Sequence, residues 1–114
     1  MNKAEDRIQQ EIVQWFNNTY PSLRGLLCYN LNNSQNAIDG NRNKMKGLIA
    51  GRSDLVLYYC GEAYMIELKT LKGRQGDEQK AWQKLIESQM FKNFIIRDLK
   101  EFKQLETEKI IYHF

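Results

Sequence analysis

Two acidic residues and a lysine interrupt the two most apolar stretches of the chain. Asp54 stands directly before the apolar run 55–57, and Glu67 and Lys69 stand on either side of Leu68. Charged side chains are rarely buried without a partner or a metal. Two carboxylates held close together repel each other unless a cation compensates, and Mg²⁺ prefers oxygen ligands. A neighbouring lysine can position a water or neutralise charge that develops on a phosphate. These residue types therefore suit metal-assisted phosphodiester hydrolysis.

A β-hairpin would bring these groups to one face of a sheet. Side chains alternate between the two faces of a strand, so Glu67 and Lys69 project from the same face. Residues 61–62 read as a two-residue loop with glycine first, which a type II′ turn prefers. This turn would pair Asp54 with Lys69 and leave Glu67 as a diagonal neighbour at roughly 7–8 Å. The alternative is a surface hairpin with a cross-strand Asp54–Lys69 salt bridge and a solvated Glu67.

Length and composition indicate one compact domain over residues 1–114. The hydrophobic content of 42% is sufficient for a core, and no apolar run approaches the roughly 18 residues that a membrane span needs. The N-terminus carries charge and no apolar segment of the kind found in secretory signals. Cys28 and Cys60 lie in apolar runs, so we expect buried thiols in a reducing cytoplasm, with a disulfide as the alternative.

Hydrophobic periodicity predicts three helices and five strands in the order α-β-β-β-α-β-α-β. Helices are expected at about 3–18, 77–89 and 99–108, and strands at 26–31, 93–98 and 109–114 in addition to the hairpin. The stretch 32–43 is rich in Asn and Gly and predicts a loop, and 44–50 predicts a short helical turn. This order indicates an α/β domain with a mixed sheet.

A basic segment precedes the hairpin. No acidic residue occurs between Asp39 and Asp54, although the net charge of the chain is only +3. The basic residues of this segment, and of the turn after the hairpin, are Arg42, Lys44, Lys46, Arg52, Lys72 and Arg74. Such a cluster suits a polyanion such as nucleic acid, and a solvated charged face is the alternative.

The order of these residues resembles the PD-(D/E)XK nuclease signature, with Ser53 in place of the proline that usually precedes the aspartate. The segments "GLIAGRSDLVL" and "MIELKTLKGRQGDEQKAWQ" resemble small stand-alone VRR-NUC nucleases, many of which are phage-encoded. That group has a Gly-x-x-Asp strand, then Glu-x-Lys, a Gly-Arg turn and a helix that opens with Glu-Gln. The matching positions here are Gly51, Asp54, Glu67, Lys69, Gly73, Arg74, Glu78 and Gln79. The resemblance implies a restriction-endonuclease-like α/β core, with a mixed β-sheet flanked by helices.

The resemblance also implies Mg²⁺- or Mn²⁺-dependent cleavage of DNA. By this analogy Asp54, Glu67 and the backbone carbonyl of Leu68 would be metal ligands, and Lys69 would act on the attacking water. Gln79 would help to orient water or phosphate, with a solvent-facing helix glutamine as the alternative.

Nucleases of this group use a further glutamate from the first helix. At about 100° per residue, Glu5 lies about 35° from the centre of the apolar face that runs from Ile8 to Phe16, whereas Glu11 lies about 85° away. We therefore expect Glu5 to be a further metal ligand. An ordinary acidic residue in the first turn of a helix is the alternative.

The expected function is that of a structure-selective or weakly specific DNA endonuclease acting on branched or junction DNA. The flanking cations would hold the phosphate backbone without reading sequence. Small members of the group tend to work as homodimers, because one protomer cuts one strand. By the same analogy the protein would act in the cytoplasm of a bacterial host. The alternative is a non-catalytic nucleic-acid-binding module on the same fold, and a sequence-specific restriction enzyme is disfavoured because the chain has little room for a recognition domain.

Overall fold

A mixed β-sheet of four strands organises the molecule, as seen in a computed structural model that describes residues 3–30 and 37–110. The strands are β1 (Leu27–Tyr29), β2 (Leu55–Tyr59), β3 (Glu62–Leu68) and β4 (Lys92–Ile96). They lie side by side in the order β1-β2-β3-β4. The first three are antiparallel, and β4 runs parallel to β3. A parallel neighbour requires a crossover connection, and a helix provides it here.

Four α-helices flank this sheet in the described ranges. They are α1 (Lys3–Thr19), α2 (Ala37–Met45), α3 (Asp77–Ser88), which forms the crossover from β3 to β4, and α4 (Leu99–Leu105). A short 3-10 turn, Pro21–Leu23, follows α1, and α4 continues as a π-helical turn, Glu106–Ile110. The predicted α/β class with a mixed sheet and flanking helices is confirmed. Within the described part of the chain, no helix is long and apolar enough to cross a membrane.

The hydrophobic core lies between one face of the sheet and α1. Ile12 and Phe16, four residues apart and therefore on the same side of the helix, are fully buried in the same cluster as Leu55 of β2 and Ile66 of β3. Phe102 of α4 completes this cluster, with its ring 6.5 Å from that of Phe16. Burial of a side chain of this size stabilises the fold by about 1.5–3 kcal/mol. The apolar periodicity of α1 thus decides which side of the helix packs into the core.

The hairpin between β2 and β3 turns one residue earlier than the sequence predicts. Its loop is Cys60-Gly61, and both residues have positive φ, 51° and 81°, as a type I′ turn requires. The predicted loop at residues 61–62 is therefore wrong. The physical reason is that a type I′ turn accepts glycine at its second position, where Gly61 lies, and it matches the twist of the flanking strands as well as the predicted type II′ turn does.

This change of turn alters the partner of Asp54. Leu55 pairs with Ile66, so the next position along the ladder places Asp54 opposite Glu67. The predicted pairing of Asp54 with Lys69 is wrong. The observed register differs from the predicted one by two residues, so every side chain stays on its predicted face of the sheet. The consequence is that the two carboxylates are direct cross-strand neighbours.

Three further expectations need correction. Ala37–Met45 is a helix where the sequence predicts a loop; its last turn carries basic residues, which interact favourably with the helix dipole. The predicted final strand is wrong at residues 109–110, which belong to the π-helical turn, and residues 111–114 lie outside the described part. Residue 31 of the predicted first strand and residues 32–36 of the predicted loop also lie outside it. Cys28 is half-buried and Cys60 is exposed at the hairpin turn, and both are free thiols.

Candidate active site

The structure brings the three charged residues of the hairpin together on one face of the sheet. Leu55 faces the core under α1, so Asp54 faces the opposite side, together with Glu67 and Lys69. All three are buried, with 5%, 1% and 9% of their surfaces exposed. Buried charged groups of this kind need hydrogen-bond donors or ions around them. The solvated-surface alternative for Glu67 does not fit this burial.

Asp54 is held by hydrogen bonds from both neighbouring strands. Its Oδ2 accepts a 2.7 Å hydrogen bond from the backbone N–H of Leu68, and its backbone carbonyl accepts one of 2.8 Å from the N–H of Asn30. Ser53, at the position where the resembling family has proline, is fully buried and donates its hydroxyl to the Leu55 carbonyl at 3.1 Å. The Asp54 carboxylate is therefore oriented by the fold itself.

One of the two carboxylate oxygens of Glu67 accepts hydrogen bonds from amide side chains. Gln75 Nε2 donates to Glu67 Oε1 at 2.9 Å, and Asn93 Nδ2 donates to the same oxygen at 3.1 Å. Glu67 Oε2 is buried and has no hydrogen-bond partner within residues 3–30 and 37–110. We call this atom the open oxygen of Glu67. A buried polar atom without a partner is rare in folded proteins and calls for an explanation.

A third amide closes this network. Gln83 Oε1, on α3, accepts from Gln75 Nε2 at 2.7 Å and from Asn93 Nδ2 at 3.0 Å. We call Gln75, Gln83 and Asn93 the amide ring. None of these three residues is among those that the sequence predicts for the site. Gln83 is one of several polar residues of α3 and gives no local signal. Nothing local indicates that strand β4 brings Asn93 to Glu67.

Arg97, which is also not among the predicted site residues, stabilises the turn after Lys69. The N–H of Gly73 donates to the Thr70 carbonyl at 3.0 Å and closes the turn. Arg97 Nη1 donates to the carbonyls of Thr70 at 2.6 Å and Gly73 at 2.7 Å. The backbone N–H of Lys69 donates to Ile96 at the end of β4. These contacts fix the backbone that carries the Lys69 side chain.

Two residues of the resembling motif have clear structural roles. Gly51 has φ of 82°, and a side chain there would collide with the Glu78 carbonyl and lie 2.7 Å from the Gln79 nitrogen, so only glycine lets this loop pass the start of α3. Gln79 Oε1 accepts a 2.8 Å hydrogen bond from the Gly76 N–H and caps α3. The role of Gln79 in orienting water or phosphate remains a prediction.

The first-helix glutamates differ in exposure as the sequence predicts. Glu5 is half-buried and Glu11 is exposed. Counting only the described ranges, no three His, Cys, Asp or Glu side chains are grouped as a metal site, so Glu5 is not clustered with Asp54 and Glu67. Its part in metal binding remains a prediction.

The predicted DNA-contacting cations lie at the surface, apart from one. Those that are exposed are Arg42, Lys44, Lys46, Lys72 and Arg74, and Arg52 is half-buried. Arg42 and Lys44 lie in the last turn of α2, where positive charge also stabilises the helix. Their contact with DNA remains a prediction.

The site offers the donor set of a hard divalent cation. Mg²⁺ and Mn²⁺ bind carboxylate and carbonyl oxygens, and Mg²⁺ typically uses one or two protein carboxylates and keeps several waters. Asp54 and Glu67 supply two such carboxylates as cross-strand neighbours, and the open oxygen of Glu67 is a buried acceptor that a cation would satisfy. The residues present therefore fit such an ion.

Comparison with known proteins identifies the fold. A solved structure described as a VRR_NUC domain protein superposes on 96% of this chain and 90% of its own, with a TM-score of 0.79 at 14% sequence identity. No family model matches the sequence, and no curated protein does. The chain thus has the fold of this VRR_NUC domain protein, as the motif resemblance predicts.

Proposed function

We propose that this protein is a divalent-cation-dependent nuclease that hydrolyses phosphodiester bonds in DNA. The observation that carries the proposal is the open oxygen of Glu67, buried on the same face as Asp54 and Lys69. Leaving a buried acceptor unsatisfied costs about 1–3 kcal/mol, and more for a charged group. Such a cost is typical of sites where strain or charge serves function. The nuclease-type fold supports the same conclusion.

Each charged group of the site has a distinct part in this proposal. Asp54 and Glu67, with the Leu68 carbonyl, would hold Mg²⁺ or Mn²⁺, and Glu5 would be a further ligand. A bound cation would supply a water of lowered pKa and would stabilise negative charge on the phosphate. Lys69, an ammonium with three donors and little access to bulk water, orients the attacking water and pairs with a phosphate oxygen. Gln79 is proposed to orient water or phosphate at the start of α3.

The substrate is proposed to be DNA of branched or junction type. The exposed cations on α2 and on the turn after Lys69 lie in the chain immediately before and after the carboxylate strands, so they suit contacts with phosphates on both sides of a scissile bond. One protomer has one such site and would cut one strand. A homodimer would then present two sites to a branched or duplex substrate.

The test is a cleavage assay on end-labelled four-way junction, flap, linear duplex and single-stranded DNA, with Mg²⁺, Mn²⁺ or EDTA. Glu67→Gln and Lys69→Met are expected to lower the rate by at least about 100-fold. Glu62→Gln and Lys100→Met are matched controls, because both residues are exposed and lie outside the site. These controls should cut like wild type.

The outcomes separate nuclease from binding module. Metal-dependent cutting that both site variants abolish supports the nuclease, and the ranking of substrates defines its preference. Wild-type protein that binds these DNAs and cuts none of them with either metal contradicts the proposal. In that case the non-catalytic nucleic-acid-binding module takes its place.

A further inference from the structure

We infer that the amide ring makes Glu67 a single-oxygen ligand and thereby sets the cation preference of the site, favouring small octahedral ions over Ca²⁺. This inference rests on the proposed function, because it assumes that Glu67 binds a cation. It assigns a positioning role to Gln75, Gln83 and Asn93, three residues outside the predicted catalytic set.

Every donor nitrogen of Gln75 and Asn93 and both of the oxygens that accept from them make their full number of hydrogen bonds. Gln75 Nε2 and Asn93 Nδ2 each have two hydrogens, and each nitrogen donates to two acceptors, Glu67 Oε1 and Gln83 Oε1. Each of these acceptors receives two hydrogen bonds at 2.7–3.1 Å. A carboxylate oxygen has two lone-pair sites, so Oε1 has its full complement. Only the open oxygen of Glu67 remains able to bind an ion.

The unsatisfied atoms of the network are all acceptors. Besides the open oxygen of Glu67, Asn93 Oδ1 is buried and lacks a hydrogen-bond partner in the part of the chain that the structure describes. The network therefore has acceptors that lack a donor or cation, and no donor that lacks an acceptor. A cation with its shell of water supplies both.

Single-oxygen binding discriminates between cations. Mg²⁺ demands a near-ideal octahedron, keeps several waters and binds one or two carboxylates, whereas Ca²⁺ takes six to eight oxygens and often binds a carboxylate through both. A Glu67 that can offer only one oxygen gives Ca²⁺ fewer ligands, while Mg²⁺ or Mn²⁺ loses nothing. The ring is well placed to hold this arrangement, because its members come from three parts of the fold: the loop before α3, α3 itself and β4.

The test uses cation binding in the absence of DNA. Gln75→Met, Asn93→Leu and the double variant remove the donors to Oε1 with little change of volume, and Gln89→Met is the matched control, since Gln89 is an exposed amide that bonds only to Ser88 in the described ranges. Titration calorimetry of the full chain with Mn²⁺ and with Ca²⁺ gives the two Kd values. Thermal unfolding in EDTA reports whether each variant is folded.

The double variant is expected to bind Mn²⁺ about 10–100-fold more weakly, because outer residues that orient a metal ligand typically contribute this much. Its preference for Mn²⁺ over Ca²⁺ should also shrink, since both oxygens of Glu67 become available. The single variants should lie between it and wild type, and they give the answer if the double variant does not fold. The control should match wild type in both constants.

The possible results distinguish a failure of this inference from a failure of the nuclease proposal. Folded ring variants with an unchanged ratio of Mn²⁺ to Ca²⁺ affinity overturn the inference and leave the nuclease proposal standing. Wild-type protein that shows the expected ratio and ring effect but cuts no DNA contradicts the nuclease proposal alone. Wild-type protein that binds neither cation overturns both.

Discussion

Replacing Glu67 by Gln should make the protein more stable and inactive at the same time. The glutamine keeps an oxygen that accepts from Gln75 and Asn93 and puts a neutral NH₂ where the open oxygen of Glu67 was. At 1% exposure this position is shielded from water, so the charge has little solvent to stabilise it. The variant therefore removes a cost that the wild type carries in the absence of a cation.

The size of the effect follows from the burial and the missing partner. An unsatisfied buried group costs about 1–3 kcal/mol, and more when it is charged, so the gain on neutralisation should be about 1–2 kcal/mol. With an unfolding entropy of about 2.1 cal/mol/K per residue, this gain raises the Tm of a domain of this length by about 4–8 °C. A cation at 100 times its Kd should stabilise the wild type by about 2.7 kcal/mol and should leave the variant unchanged.

The measurement is urea and thermal denaturation of both proteins in EDTA and in Mn²⁺. In EDTA the Glu67→Gln protein should be the more stable, and saturating Mn²⁺ should remove or reverse that difference. Glu62→Gln, an exposed glutamate of the same strand, should change stability by less than about 0.5 kcal/mol. A Glu67→Gln protein that is less stable than wild type in EDTA would refute the reasoning, because Glu67 would then be stabilising in its own right.

Three further perturbations test the supports of the site. Gly51→Ala should lower the free energy of unfolding by about 2–4 kcal/mol through strain and a backbone collision, whereas Gly25→Ala, at φ of 103° in open space, should cost only about 1–2 kcal/mol; urea denaturation measures both. Tyr20→Phe removes the hydroxyl that donates to buried Glu106 at 2.9 Å and should cost about 1–3 kcal/mol. Burial, then the hydrogen bond and charge of Glu106, raise the pKa of Tyr20 from 10.0 to about 12, so its stabilising contribution is complete below pH 10 and is lost as pH rises through about 12. Arg97→Met should speed hydrogen exchange of the amide that closes the turn after β3 and should lower the cleavage rate.

Each of these predictions has a contradicting result. If Gly51→Ala and Gly25→Ala lower the free energy of unfolding equally, the collision with α3 contributes nothing to the cost at position 51. If the Tyr20→Phe protein loses as much stability as wild type between pH 10 and 12, Tyr20 is not the group whose titration causes that loss. Unchanged exchange in the Arg97→Met protein would mean that the turn holds itself without the arginine.

The sequence predicted the local elements of this fold and the face that carries the charges. Helix α1 follows from its four-residue apolar spacing, and α3 begins at Asp77, as predicted. Strict alternation along the hairpin put Glu67 and Lys69 on one face regardless of the turn chosen. These features depend on neighbours within one or two turns of the chain, which periodicity reports directly.

Features that depend on long-range pairing were not predictable from the same signals. Two candidate turns, Cys60-Gly61 and Gly61-Glu62, differ by one residue, and the sequence favours the one with glycine first. Helix α2 contains glycine and asparagine, so local propensity argued against it. The hydrogen bond from Asn93 to Glu67 joins residues 26 apart in the chain. It depends on the parallel register of β3 and β4. No local pattern encodes that register.

The contact that orients Asp54 and the contact that orients Glu67 join residues at different separations along the chain. We expect this difference to set the order in which the two contacts form during folding. The bond from Leu68 to Asp54 spans 14 residues within a single hairpin, whereas Asn93 reaches Glu67 only after the whole crossover through α3 has formed. Hairpins form in about 1–10 μs, and non-local parallel pairing is intrinsically slower. In a refolding experiment, the two carboxylates should therefore become neighbours first, and selective cation binding should return only with the slower phase that pairs β4 with β3.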